Sequence, residues 1–438
     1  MVTELERRKQ ACQMYYYQKV SKAEICRRLD CSRPWLDRWL NRYHPDRVDE
    51  SLSSRKAGPK RAYSPWSDDI RQQVLEMRRL RTQRDKFPYA LIGAAAIHYE
   101  LEALKSPEIP PARTIHDWLS KADLVETQPA KREKREPKPI PLPQAKAVNA
   151  VQQLDLKGPV YLRGSSHKYY LAVLRDRYSR RCAIDVLSSR EAQGITDFLV
   201  ASWQWLGLPD YLQMDNALEF RGSNRYPRSF GQVVRVAIDL GVEPIFNPSS
   251  EPWRNGGVER HNGFIGERLL SIECADLTAL KQQALACQTA CNYTHRLTAL
   301  DGLTPEQVAA QAVLRFPPQD YQRHQARTLP QDKGFVSLVR LVRKSGRITL
   351  GTDDRFMVDP ELAYSYVLAR VDLAQKIVTI SQDGEPLKVY DYSAQTVSAW
   401  ADDNQADDEL DELINDLNVT QFVAPMTISL YCHAVHCT

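Results

Sequence analysis

The sequence predicts a multidomain chain, with all-α helix-turn-helix domains at the N-terminal side, an α/β core on a mixed sheet, and a small C-terminal β-barrel. Three observations lead there. A length of 438 residues corresponds to roughly three domains at ~150 residues each. Apolar residues recur with a helical period through the first 125 positions and with a strand period from about residue 150. From Gly334 to about Tyr392 five short strands follow one another with few helices between them, which suggests the barrel. Composition narrows the classes further. Hydrophobic residues at 43% and charged residues at 26% are ordinary for globular domains, which excludes a collagen-like fibre and wholesale disorder. No stretch approaches the ~18 apolar residues of a membrane span, so no membrane partner is expected. Nine scattered cysteines argue against a disulfide framework. The start, MVTELERRKQ, lacks the apolar core of a signal peptide, so the expected location is cytoplasmic and nucleoid-associated.

The net charge of +4 conceals an asymmetry. Residues 401–438 hold eight acidic side chains and no Lys or Arg, which leaves +12 on residues 1–400. A basic body with an acidic tail fits a polyanion-binding protein, because Lys and Arg neutralise phosphates whatever the base sequence.

In order along the chain, residues 1–50 read as three short helices. Ser21 can cap the second, which carries Ile25, Cys26 and Leu29 on one face. DCSRP makes a turn, and the third helix aligns Leu36, Trp39, Leu40 and Tyr43 until Pro45 closes it. Arg33, Arg38 and Arg42 are left pointing outward. This is the helix-turn-helix pattern, whose second helix enters the major groove; a generic helical bundle with solvated charges is the competing reading. After a small, basic linker, residues 60–125 give a second helix-turn-helix-like set. Ser64 and Pro65 look like its cap and first position, and Ile70, Val74 and Met77 repeat helically. The last helix of the set buries Ile115, Trp118 and Leu119 and presents Arg113, His116 and Lys121. Residues 126–147 are a basic, proline-rich linker, and its cations either follow a phosphate backbone or are merely solvated.

From 148 to 298 three consecutive strands (VQQLDL, YYLAVLRD, RCAIDVL) precede alternating helices and strands, which implies a mixed sheet covered by helices. Residues 330–395 would form the barrel, and 396–438 the acidic tail. In the tail, Leu410, Leu413, Ile414 and Leu417 make an apolar stripe suited to a protein partner or to a frayed end. The terminal Cys432, His433, His436 and Cys437 are too compact for an ordinary structural zinc site and read as a chance feature.

Three acids stand out: Asp155 closing the first strand in QQLDLKG, Asp215 closing a later strand in MDNALEF, and Glu259 opening a helix in GGVERHN. Carboxylates at strand ends and a nearby helix start can converge on one crevice. As hard oxygen donors they suit Mg²⁺ or Mn²⁺, and two such ions ~3.5–4 Å apart serve phosphodiester chemistry. Each acid also has a structural explanation: a strand-end turn at Asp155, an Asx-turn at Asp215, a helix-dipole carboxylate at Glu259.

Together, Asp155 with YLAVLRDRYSR, the DNALEF box and NPSSEPWRNGGVERHNG make residues 150–295 resemble the catalytic core of DDE-type insertion-sequence transposases and retroviral integrases. The resemblance implies an RNase H-like fold and an Asp155–Asp215–Glu259 triad holding two Mg²⁺ (or Mn²⁺) ions per active site. It also implies preceding helix-turn-helix units and a following barrel. The expected activity is cleavage of transposon ends and their transfer into target DNA, by a homo-oligomer on double-stranded DNA. Two departures stand against the pattern. Asp215 and Glu259 are separated by 43 residues, whereas the retroviral spacing of 35 would select Glu251. Glu251 precedes Pro252, which disfavours helix there, so the extra residues are placed in RGSNRYPRSF. The His-His-Cys-Cys module of the retroviral enzymes is absent, which leaves DNA-end recognition to the helix-turn-helix units. Arg260, His261 and Asn262 flank the expected site. A catalytic subunit of a multi-protein transposition system, with the acidic tail as partner contact, and an inactive DNA-binding regulator are the alternatives.

Overall fold

The computed structural model describes residues 3–54, 65–125, 139–222, 227–248, 256–351 and 354–395, the side chains of 256–260 and 262 excepted. The chain divides into two compact units, Met1–Ser67 and Asp68–Thr438. Residues 126–138 of the 126–147 linker, Glu251 and the acidic tail therefore lie outside the described residues, as does Ser64.

The first unit contains α1 (Glu4–Tyr16), α2 (Lys22–Arg28), α3 (Arg33–Arg42) and the short α4 (Val48–Leu52). The starts of α1, α2 and α3 are capped by the residue types expected there. Thr3 and Glu6 form a reciprocal capping box on α1, Ser21 Oγ accepts from Glu24 N–H, and Ser32 Oγ accepts from Trp35 N–H. Asp30, at φ 45°, turns the chain between α2 and α3. Ala11, Ile25, Leu36, Trp39, Leu40 and Leu52 close a core of their own. Full burial of Leu36 alone contributes about 2 kcal/mol.

The second unit opens with α5 (Asp68–Arg81), α6 (Ala94–Ala103) and α7 (Ala112–Lys121). α5 starts three residues after Pro65, and the stretch Tyr89–Ile92 ahead of α6 is not helical, because it serves another purpose. Tyr89 is buried against the core, with its hydroxyl donating to the Gln283 carbonyl at 3.1 Å.

The remainder is built on one nine-stranded mixed sheet. Its strands are β1 (Val151–Val160), β2 (Tyr169–Asp176), β3 (Cys182–Leu187), β4 (Tyr211–Met214), β5 (Glu243–Phe246), β6 (Phe335–Leu341), β9 (Tyr366–Asp372), β10 (Ile377–Gln382) and β11 (Glu385–Asp391). They lie in the order β11-β10-β9-β6-β5-β4-β1-β2-β3, while β7 (Arg347–Thr349) and β8 (Arg355–Met357) pair as a separate ribbon. β1, β4, β5 and β6 are mutually parallel and the flanking pairs antiparallel. One face carries α8 (Ala192–Leu206), the single turn α9 (Leu218–Arg221) and α10 (Gln232–Asp239), in a core centred on Trp203, Phe220 and Phe246. The other face carries α11 (Gly256–Arg268) and α12 (Leu277–Thr289), packed on Leu171, Val173 and Ile184. α12 runs on into a π-helical turn, Ala290–Thr294, before the short α13 (Pro305–Ala309).

The helical N-terminal region and the mixed sheet match the expectation. The separate barrel does not. β6, β9, β10 and β11 extend the core sheet instead, because β6 completes the open edge of β5 at Ile245↔Ser337 and Phe246↔Leu338. Glu243 on β5 secures the join by accepting from Ser337 Oγ at 2.6 Å and from Arg370 Nη2 on β9 at 2.8 Å. The sequence reading also passed over β11, whose alternation is weak because its side chains are almost all exposed.

Candidate active site

Asp155 does not end its strand. β1 runs to Val160, still paired with β2 as far as Val160↔Tyr169, so Asp155 is its fifth residue, opposite Val173. Asp215 directly follows β4. The β1–β4 register is Gln153↔Gln213, and continuing it by two residues sets Asp155 across from Asp215 on adjacent strands, whose spacing is ~4.8 Å. The side chains of that row share one face. Gln153 Nε2 donates to Gln213 Oε1 at 3.1 Å, and period-two alternation carries the same face to both aspartates.

A polar chain fixes the row. Gln213 Nε2 donates to Asn247 Oδ1 at 2.7 Å, and Arg177 Nη1 donates to Gln213 Oε1 at 3.3 Å. Asn247 is itself held by its N–H to the Met214 carbonyl at 2.9 Å, and its own carbonyl accepts from the Asn216 amide. Gln153, Gln213 and Asn247 are linked in series, while Asn216 Oδ1 is buried without a partner; the linked amides limit how far the strand ends can shift. The sequence reading missed Gln153, Gln213, Arg177 and Asn247. The signal was present: polar residues alternate with apolar ones where a fully covered strand would be apolar throughout.

The Asx-turn foreseen at Asp215 also forms, with Ala217 N–H donating to Asp215 Oδ1 at 2.9 Å. Among the described residues none donates to Oδ2. Burial raises the Asp215 carboxyl above its ordinary value; the Ala217 hydrogen bond opposes this, the charge of Glu219 adds to it, and Arg190 offsets part of it. Lys157, two residues beyond Asp155, is lowered by burial and raised by the Asp155 charge. Its ammonium lies against α11, where a Cβ on Gly266 would fall.

That contact shows which helix covers the aspartate face. Ile265 and Leu269 bury α11 on β2 and β3, and Glu259 lies on the same helix, two turns before Gly266 and hence on the same stripe of its surface. Glu259 is thus a helical residue, as expected, whereas Glu251 lies outside the described residues.

The DNA-binding candidates divide. In the first unit Arg33 and Arg38 are exposed on α3, with Arg33 3.4 Å from Asp37. Arg42 is instead tied down, donating to the Ser53 carbonyl at 3.1 Å and lying 4.7 Å from the Trp39 ring centre. In the second unit Arg113, His116 and Lys121 are all exposed on α7.

Residues 3–50 match the model of a homeodomain-like domain. The first unit resembles a homeodomain. No curated protein matches the chain. Among solved structures, the chain is similar to the magnesium-bound integrase catalytic core of HTLV-2 in its trimeric form, at 19% identity, over 38% of this chain and 99% of that one, with a TM-score of 0.31. The catalytic core of BIV integrase is similar at 16% identity, over 37% and 95%, with a TM-score of 0.29. The simian T-cell lymphotropic virus intasome, solved with the PP2A regulatory subunit B56 gamma, is similar at 14% identity, over 72% and 96%, with a TM-score of 0.33. No helix among the described residues is long and apolar enough to cross a membrane.

Proposed function

We propose that the protein is a DDE-type polynucleotidyl transferase, a transposase that binds element ends through its N-terminal helical domains and cuts and joins DNA at Asp155, Asp215 and Glu259. The observation that supports this reading is the β1–β4 register, which stands at Gln153↔Gln213 and, continued by two residues, would bring Asp155 and Asp215 to one face. The donor set fits a hard divalent cation. Burial raises the Asp215 carboxyl, and a dication bound to it would offset that cost of desolvation.

Asp155, Asp215 and Glu259 would hold two Mg²⁺ or Mn²⁺ ions, which when bound supply charge stabilisation to the displacement at phosphorus. The chain's own contribution is positioning. The Gln153–Gln213–Asn247 chain aligns the strand ends, and Lys157 adds a cation beside Asp155 for phosphate oxygens. In-line exchange of one P–O bond for another needs no protein nucleophile, so no protein–DNA adduct forms. Recognition of double-stranded ends falls to α3 and α7, and the working form is an oligomer on DNA.

The test uses Asp155→Asn, Asp215→Asn and Glu259→Gln, each keeping shape while removing an anionic donor. Each variant is expected to bind element-end DNA as the parent does and to lose cleavage and joining by at least ~10³-fold. Full activity in Glu259→Gln with none in Glu251→Gln would transfer the third position to Glu251. Binding without cleavage in the parent chain would favour a regulator.

A further inference from the structure

Where α11 and the end of α12 pack against β3, the structure brings together soft donors from three elements. Cys182 is the first residue of β3, His261 lies on α11 and Cys291 in the π-helical turn after α12. One ligand atom from each lies within 4.8 Å of the other two, and all three side chains are buried. His261 is 8% exposed, and its Nε2 is buried without a hydrogen-bond partner. The imidazole faces the Cys182 thiol, which its proximity lowers, yet Nε2 has no hydrogen bond of good geometry, an unfavourable state for a buried ring nitrogen that a metal ion would relieve.

The surroundings are built for a fixed geometry. Asn292 clamps the backbone at Cys182 from both sides, its Oδ1 accepting from Cys182 N–H at 2.9 Å and its Nδ2 donating to the Cys182 carbonyl at 2.7 Å. A π-helical turn inserts a residue into a helix and is frequent at functional sites; here it sets Cys291 and Asn292 toward β3. Cys287, one turn before Cys291 on α12, is buried beside it, and its proximity helps raise the Cys291 thiol. All of these cysteines are free.

We propose that Cys182, His261 and Cys291, completed by Cys287, form a structural zinc site that fastens α11 to the sheet. Sulfur and nitrogen donors select zinc over the hard cations suited to carboxylates. Zn–S bonds of ~2.3 Å in a tetrahedron put sulfurs roughly 3.8 Å apart, so Cys182, His261 and Cys291, within 4.8 Å of one another, need to close by only about 1 Å, and Cys287 has to swing in from the preceding turn to complete the set. The charge is also accommodated. Two thiolates and a neutral imidazole cancel the dication, and the third thiolate is matched by Arg175, which pairs with Cys182 across the β2–β3 ladder. Because His261 is two residues from Glu259, the ion would set the position of the helix carrying the third carboxylate.

The experiment measures metal in the full chain, untagged and carrying Cys432→Ser and Cys437→Ser so that the terminal cluster cannot contribute. After exchange against EDTA, about one zinc per chain is expected to remain by elemental analysis. Cobalt substitution should give a thiolate-to-metal charge-transfer band. Cys182→Ser with Cys291→Ser should lose both the zinc and the band, and Cys287→Ser should retain zinc less tightly. A folded parent chain that holds less than about a tenth of an equivalent and gives no cobalt–thiolate band overturns the proposal. So does retention of full zinc by the double variant. A chain that holds zinc in this way but cuts no DNA would refute the transposase reading and leave the zinc site standing.

Discussion

Arg38 and Arg42 lie one turn apart on α3 yet have different work. Arg42 closes the domain through Ser53 and Trp39, while Arg38 is exposed. Arg38→Ala is therefore expected to weaken DNA binding and lower the log–log salt slope by about 0.9, with an unchanged Tm. Arg42→Ala is expected to lower the Tm of the N-terminal unit as well. Anisotropy titrations across a salt series, paired with melting curves, separate the two; equal salt slopes and equal Tm values would reject the distinction. His295 offers a second test at this scale. It is buried, its Nε2 donates to the Tyr89 carbonyl at 2.7 Å, and burial lowers its pKa from 6.5 to about 4. Between those values the unfolded chain binds the extra proton and the folded chain does not, so stability falls as pH drops from 6.5 to 4. Above that window the contribution is intact, and below it the loss levels off near about 3 kcal/mol. His295→Gln should flatten the pH dependence of the urea midpoint in that interval alone. An unchanged slope would show that His295 titrates as it does in the unfolded chain.

At the scale of elements, β1 is fixed to α8 by one amide. Gln152 is fully buried; its Oε1 accepts from Trp203 Nε1 at 2.9 Å, and its Nε2 donates to Asn149 Oδ1 and the Gly207 carbonyl. Gln152→Leu strands three buried groups and is expected to cost about 2–4 kcal/mol by denaturant unfolding. A loss below about 0.5 kcal/mol would mean that water or repacking satisfies them. The strands of the core were legible because their apolar alternation and turn residues agree, as in YYLAVLRD and RCAIDVL. So was the helix at Glu259, where GGVERHNGFIGERLL has helical spacing. The zinc-type donors were not legible as a group, since Cys182, His261 and Cys291 are separated by 79 and 30 positions and only tertiary packing joins them. The C-terminal strands were legible as strands, but their destination was not. Pairing with β5 depends on which edge is left open, and alternation does not encode that.

For the whole molecule, the boundary at Ser67 and Asp68 leaves the first unit with its own closed core. The fragment 1–67 should unfold cooperatively on its own. A chain beginning at Asp68 should keep the melting temperature of the second unit yet lose its preference for element ends over random DNA. Competition binding with both probes measures this. Undiminished selectivity would assign recognition to α5–α7.

The join between β5 and β6 also has a consequence in time. Phe246 and its partner Leu338 are about ninety residues apart, and a ribosome adding ~5–20 residues per second needs roughly 5–20 seconds to cover that interval. For that long the nascent chain carries an unsatisfied strand edge, Glu-Pro-Ile-Phe, beside a nearly finished half-sheet. Pro244 lacks an N–H and Glu243 carries a charge until Arg370 emerges, two features that discourage a wrong partner from pairing there. Synthesis of this protein thus includes a vulnerable interval, whose duration is set by the length of chain between two neighbouring strands.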